Sequence, residues 1–192
     1  MRDPNEPSNL QECALCADLD GAGRCYRSAR RVPAWKGPDY TTGGIMIVGE
    51  APGATEHDGG EPFIGRSGKL LDTFLGECLI RRNRCVITNA VKCFPSMNGK
   101  AIPPIKKQTN RCEEWLKIDI NNFKPGTIFT FGKVAECSIR NIWKPSEYRL
   151  MSFYHPAYWL RRGGQKSDEY INDLVQFKST MMYYRLERGW PT

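Results

Sequence analysis

With 192 residues, 40% of them apolar and 26% charged, the chain has the make-up of a globular protein long enough for one buried core. No apolar run approaches membrane-spanning length and the start, MRDPNEPSNL, has no signal-peptide core, so an intracellular, cytoplasmic, monomeric protein with no membrane partner is expected. The eight cysteines then argue against a disulfide framework and toward a metal or redox centre. The formal charge of +7 favours a polyanionic partner, DNA, RNA or a nucleotide.

Along the chain, residues 1–12 read as a loose polar lead-in and residues 13–30 as a cluster-binding segment. Cys13-Ala14-Leu15-Cys16 spaces two thiolates so that they can grip one metal from a single turn, although redox pairs share that spacing. Cys25 is a rival ligand or a bystander, and the arginine-rich stretch from Arg24 to Arg31 is a solvated segment or a track for phosphates. The apolar run Ile45 to Val48 predicts a buried strand, and Gly49-Glu50-Ala51-Pro52-Gly53 ends it where backbone must approach something closely. A polar loop follows, then Phe63 among glycines and prolines. A helix is expected from Ser67 to Leu79, with Leu70, Leu71, Phe74 and Leu75 on one face.

The second strand is Cys85 to Asn89. Lys92-Cys93-Phe94-Pro95 leaves it for a loop reaching Pro104, and a helix from Lys106 to Ile120 carries Cys112. Thr127 to Thr130 is the third strand, turned by Gly132 into a short helix from Val134 to Ile139. Arg149 to Phe153 is the fourth, ending in Tyr154-His155-Pro156-Ala157, and Ser167 to Leu186 forms a last amphipathic helix. Strands alternating with helices predict one domain over residues 1–192, a three-layer α/β/α sandwich around a mainly parallel four-stranded sheet. In such a sheet the loops at Glu50, Asn89 and His155 leave strands at one edge, so they can converge across long sequence separations.

That pattern alone leaves a nucleotide-binding protein open, but Gly65-Arg66-Ser67-Gly68-Lys69 lacks phosphate-loop spacing and Leu70 stands where a magnesium-binding hydroxyl would be. A zinc-ribbon interaction protein is a further reading of the cysteines.

Taken in order, GEAPG, PFIGRSGKLLD, ITNAVKC and HPAYWLR resemble the family 4, iron–sulfur-containing uracil-DNA glycosylases, over roughly Cys13 to Phe177. The resemblance implies a monofunctional enzyme that takes uracil out of DNA and hydrolyses its N-glycosidic bond, leaving an abasic site. The alternative is a superfamily member that binds uracil-containing DNA without turnover, or excises another deaminated base. It also implies that Cys13, Cys16, Cys93 and Cys112 hold a [4Fe-4S] cluster of structural role. Four thiolates suit zinc equally, and ligand chemistry does not separate the two. SMNGKAIPP reads as an insertion between Cys93 and Cys112.

By the same resemblance Phe63 stacks on the flipped base, Glu56 fills the space a thymine methyl would need, and His155 stabilises charge on the departing base. Asn89 offers the donor and acceptor that uracil N3–H and O4 require. Glu50 is a candidate for placing water, and Gly49 and Ala51 complete the expected uracil-binding set. Backbone amides at Gly53, Ser67 and Gly68 suit a DNA phosphate. Tyr158-Trp159-Leu160-Arg161-Arg162 reads either as a wedge with cationic ends that fills the gap left by the base, or as a helix edge packed on the domain. The segment Ala54-Thr55-Glu56-His57-Asp58 is less acidic than the family pattern, and His57 adds a titratable group.

Overall fold

The computed structural model describes residues 31–97, 100–142 and 148–188. The expected cluster-binding segment, with Cys13, Cys16 and Cys25, lies outside them. The central sheet takes Trp35–Lys36 (β1), Ile45–Gly49 (β2), Cys85–Asn89 (β3), Thr127–Phe131 (β6) and Arg149–Phe153 (β7) in the order β1-β3-β2-β6-β7. The four predicted strands are all present and mutually parallel. A fifth, β1, adds an antiparallel edge beside β3. It is two residues long, too short for any period to register in sequence.

Strand sides sort the core. Ile45 and Ile47 point to one face with Ile87, Phe129, Phe131 and Phe153, while Met46 and Val48 point to the other with Val86 and Ile128. Both faces are buried, which is why these strands read as continuous apolar runs rather than alternating ones. The first face is covered by Arg66–Glu77 (α2), Pro156–Arg162 (α5) and Asp168–Arg188 (α6), the second by Lys106–Phe123 (α3) and Lys133–Ile142 (α4).

Phe74 of α2 is the hub of the first face. Its ring meets Phe131, Phe153, Trp159, Tyr170 and Phe177 with centroids 4.9–6.0 Å away, mostly edge to face. Truncating such a side chain to Ala costs about 3–5 kcal/mol.

Two further elements depart from expectation. The segment predicted as a polar loop holds a helix, Ala54–Gly59 (α1), which carries no apolar stripe to announce it. Ser96–Met97 (β4) and Lys100–Ala101 (β5) form a small separate hairpin where an insertion is expected. Among the described residues no helix is long and apolar enough to cross a membrane.

What positions the site is the direction of the exits. The chain leaves β2 toward the α2 face and β3 toward the α3 face, so a crevice opens between their C-terminal ends at Gly49 and Asn89, the register pair that closes the ladder. Backbone bonds from Ala90 N–H to Gly49 O (2.8 Å) and from Val91 N–H to Glu50 O (2.9 Å) carry the pairing on into the two loops.

Candidate active site

A pocket of about 200 Å³ sits at this crevice, lined by Glu50, Ala51, Pro52, Gly53, Glu56, Phe63, Ser67, Asn89 and His155. Phe94, Pro95, Ala101, Ile102 and Ala157 complete its wall. Pockets for drug-sized ligands start at roughly 300 Å³, so the space suits one small ring. Loops from β2, β3 and β7, whose residues Glu50, Asn89 and His155 are 39 to 105 positions apart in sequence, therefore do meet at one edge of the sheet.

Phe63 forms one wall. Its backbone is left-handed, with φ 56°, a conformation that costs a non-glycine residue about 1–3 kcal/mol and that surrounding structure must hold in place. Its ring packs over Gly49, where a Cβ would stand 2.4 Å from Phe63 Cζ and 2.5 Å from Asn89 Oδ1. Gly49 thus lies beneath the pocket rather than in it. Its expected place among the uracil-binding groups becomes a packing one: it lets the ring and the amide come together.

Asn89 is 4% exposed at the tip of β3. Among the described residues its amide has no side-chain hydrogen-bond partner, so its donor and acceptor remain for a ligand.

His155 is the N-cap of α5. Its Nδ1 accepts the Ala157 N–H at 3.1 Å. Nδ1 is therefore unprotonated, and the neutral ring keeps its proton on Nε2. Burial, and then the Arg161 guanidinium, pull its pKa down to about 4. The ring stacks on Phe63 at 5.9 Å between centroids and 30° between planes. Gly132, at φ 91°, forms its bed: a Cβ there would approach His155 Cβ to 3.1 Å. That supporting role went unseen in sequence, where Gly132 reads only as a turn.

Glu56 is buried and its two oxygens are occupied. Oε2 accepts the Gly53 N–H at 3.1 Å and Oε1 the Gly65 N–H at 2.8 Å. The side chain ties the loop after β2 to the start of α2 while lining the pocket, so it is a fixed wall and not a solvated acid. Glu50 also lines the pocket, and burial raises its carboxyl pKa, opposed by Arg161.

The expected DNA-gripping residues divide. Gly53 and Ser67 line the pocket, whereas Gly68 is buried with its Cα packed against the Phe63 backbone. Residues 158–162 belong to helix α5. Trp159 is fully buried, stacked on Phe74 at 4.9 Å, and its indole N–H donates to Asp173. As a wedge residue it is corrected to core, and Leu160 packs against the same core. Tyr158, Arg161 and Arg162 remain accessible. Arg161 lies over the Tyr158 ring at 5.9 Å, and Tyr158 stacks on the exposed Tyr154 at 5.1 Å.

Beside the pocket, Cys93 and Cys112 are buried together with Val91 in a small cluster separate from both main cores, with Ala51 packed against it. The elements carrying them are locked by a buried ion pair: Lys92 Nζ donates to Asp119 Oδ2 of α3 and to Thr88 Oγ1, which itself bonds Asp119 at 2.9 Å. Among the described residues no group of three or more His, Cys, Asp or Glu is placed to hold a metal ion.

Residues 37–177 match the Uracil DNA glycosylase superfamily. The chain belongs to that superfamily. It is also similar to proteins named type-4 uracil-DNA glycosylase. The one from Sulfurisphaera tokodaii is 35% identical over 154 residues, 70% of this chain and 69% of the relative. Those from Pyrobaculum aerophilum and Archaeoglobus fulgidus are 33% identical over 153 residues and 32% over 148, covering 70% and 67% of this chain and 76% and 72% of theirs. As in other α/β proteins, this superfamily member keeps its pocket at strand ends, where loops can change without disturbing the sheet.

Proposed function

We propose that this protein excises uracil from DNA by hydrolysis of the N-glycosidic bond, leaving an abasic site. The observation that carries the reading is the convergence of an unpartnered Asn89 amide, the Phe63 ring and a neutral His155 on one pocket sized for a single pyrimidine.

A base inside a duplex is out of reach, so the uracil nucleotide must be extruded. Phe63 offers the face on which the ring stacks. Asn89 accepts from uracil N3–H and donates to O4, a pairing that cytosine cannot satisfy without leaving buried groups unmatched. As the C1′–N1 bond lengthens, its electron pair moves onto the base and negative charge grows on O2. The Nε2–H of His155 donates there. The bond strengthens as charge develops, so it favours the transition state over bound substrate. Glu50, with its raised pKa, suits the orientation of the attacking water. The new C1′–O bond takes its oxygen from that water, and the water's proton leaves to solvent. Glu56 closes the side where a thymine methyl would enter. Tyr158, Arg161 and Arg162, with Gly53 and Ser67, form the surface toward the DNA strand, and Leu160 supports it from beneath.

Cys93 and Cys112, buried side by side on two elements, fit a thiolate-bound group completed by Cys13 and Cys16. That group is a [4Fe-4S] cluster, with zinc as the alternative. When bound it supplies cross-linking of the N-terminal segment to the edge of the pocket.

The test is incubation with an oligonucleotide holding one uracil, then alkali. Strand cleavage with release of free uracil is expected, and none from the same strand with thymine. A retained complex without cleavage would instead mean binding without turnover, and cleavage only at another deaminated base would redirect the specificity.

A further inference from the structure

His155 is held from behind by a residue that the reaction itself does not use. Asp173 on α6 is 5% exposed, and its Oδ2 accepts two hydrogen bonds, from the Tyr154 backbone N–H at 2.9 Å and from Trp159 Nε1–H at 2.9 Å. One donor lies immediately before His155 and the other four residues after it. The turn that carries the imidazole is therefore pinned at both ends to a single oxygen. Among the described residues Asp173 has no cationic partner. Burial accordingly holds its pKa up at about 6, with Glu169 pushing the same way and the two donated bonds opposing. A carboxylate kept in so unfavourable a setting fits a positional task better than a packing one, which an apolar side chain would do at lower cost.

We infer that Asp173 is a positioning residue for His155: by anchoring the β7–α5 turn at Tyr154 and Trp159, it keeps the Nε2–H aimed into the pocket. The inference rests on the reading of His155 as donor to the departing base. It complements the other two restraints on the ring, the Ala157 N–H on Nδ1 and the close floor at Gly132. Each acts on the ring or its Cβ, whereas Asp173 acts on the backbone that carries them.

The test compares Asp173→Ala and Asp173→Asn with wild type in uracil excision, and repeats Asp173→Ala in a His155→Ala background. Both bonds fall on one oxygen, so the Asn carbonyl can accept both, and that variant should keep its kcat within about 3-fold. Asp173→Ala should lose about 30- to 100-fold in kcat with KM nearly unchanged, the size of effect that a misplacement of around 1 Å produces. With His155 already removed the Ala change should cost no more than about 2-fold, because groups acting as one unit are not additive. If Asp173→Ala fails to fold, Trp159→Phe removes one of the two bonds and should give an intermediate kcat loss.

A readout independent of turnover is the ring-nitrogen NMR spectrum, tractable with only two histidines in the chain. Wild type should show His155 as a neutral Nε2–H tautomer, and Asp173→Ala should show it averaging between tautomers. An unchanged His155 spectrum with wild-type kcat in Asp173→Ala, or a full additional loss in the double variant, would overturn the inference. Wild type inactive on uracil, with the spectra changing as described, would instead count against the proposed function alone.

Discussion

Gly49 and Phe63 occupy each other's space: the Phe63 ring edge lies 2.4 Å from where a Gly49 Cβ would be, and the Asn89 amide oxygen 2.5 Å from the same point. One methyl group therefore cannot be added at the end of β2 without moving both the Phe63 ring and the Asn89 amide that line the pocket. Gly49→Ala should fold, with a stability loss of about 1–3 kcal/mol from overpacking. Excision should fall at least about 100-fold, since such a shift displaces the base from its reacting position. Denaturant unfolding and single-turnover excision check the two halves separately, and wild-type excision would mean that the pocket tolerates the shift.

On the proposed reading, His155→Ala removes a donor to the departing base, and the expected loss in kcat is about 10²–10³-fold. Asn89→Ala should lose comparably in kcat/KM, with an unaltered circular dichroism spectrum in both. Asn89→Asp should acquire measurable release of cytosine, because a carboxylate can accept from the exocyclic amine. If cytosine-containing strands stay intact, the amide faces the base in some other orientation.

Acid should destabilise the protein through His155. The folded ring has a pKa near 4, pulled down by burial and then by Arg161, against about 6.5 for a free histidine. Below about pH 6.5 the unfolded chain takes up a proton that the folded one refuses, so stability falls as pH drops through that window. At pH 5 the loss is about 2 kcal/mol, by 1.4 kcal/mol per unit. Asp173 acts in the opposite sense, since its pKa is raised when folded. Comparing wild type with His155→Asn removes that contribution: the variant should gain about 2 kcal/mol on wild type between pH 7 and pH 5 in urea unfolding. A difference that does not change with pH would mean the folded ring titrates as it does in the unfolded chain.

Glu56 carries two duties that substitution can separate. Glu56→Gln keeps one acceptor and should lose about 1–2 kcal/mol of stability with the uracil preference retained, as one of two charge-assisted bonds goes. Glu56→Gly loses both bonds and opens the wall, so it should be the less stable of the two and should release thymine detectably. A Gly variant that still rejects thymine would assign that discrimination elsewhere in the pocket.

If the proposed cysteine ligation holds, Cys93→Ser and Cys112→Ser should each abolish metal binding and lower the thermal midpoint. Elemental analysis and an optical spectrum decide its identity: iron with broad visible absorption for the cluster, zinc without colour for the alternative. Full metal content in either variant would remove that cysteine from the ligand set.

Three of the parallel strands were legible because IMIV, CVIT and TIFT are largely apolar runs bounded by glycine or polar tips, and strands buried on both faces leave that mark, while RLMSF, the part-buried edge strand, shows only an apolar–polar mixture. The convergence of Glu50, Asn89 and His155 followed from that, since parallel strands put their C-terminal ends on one edge. Helix α1 was not legible, because Ala54-Thr55-Glu56-His57-Asp58-Gly59 has no apolar face and its packing runs through the Glu56 carboxylate. Trp159 was misread because Tyr158, Trp159 and Leu160 are all compatible with a core or with a wedge. Seven helical residues are too few for periodicity to say which one points inward.

Local chemistry written along the chain determined which groups the pocket would contain: an amide at a strand tip, an aromatic among glycines, a histidine before a proline. Only the packed structure decided how those groups are oriented, through contacts between residues that sequence leaves unrelated: Asp173 with Tyr154 and Trp159, Glu56 with Gly65, Gly132 with His155. Identity is a property of each position, but direction is set by neighbours supplied from other elements, and those are known only once the elements have packed.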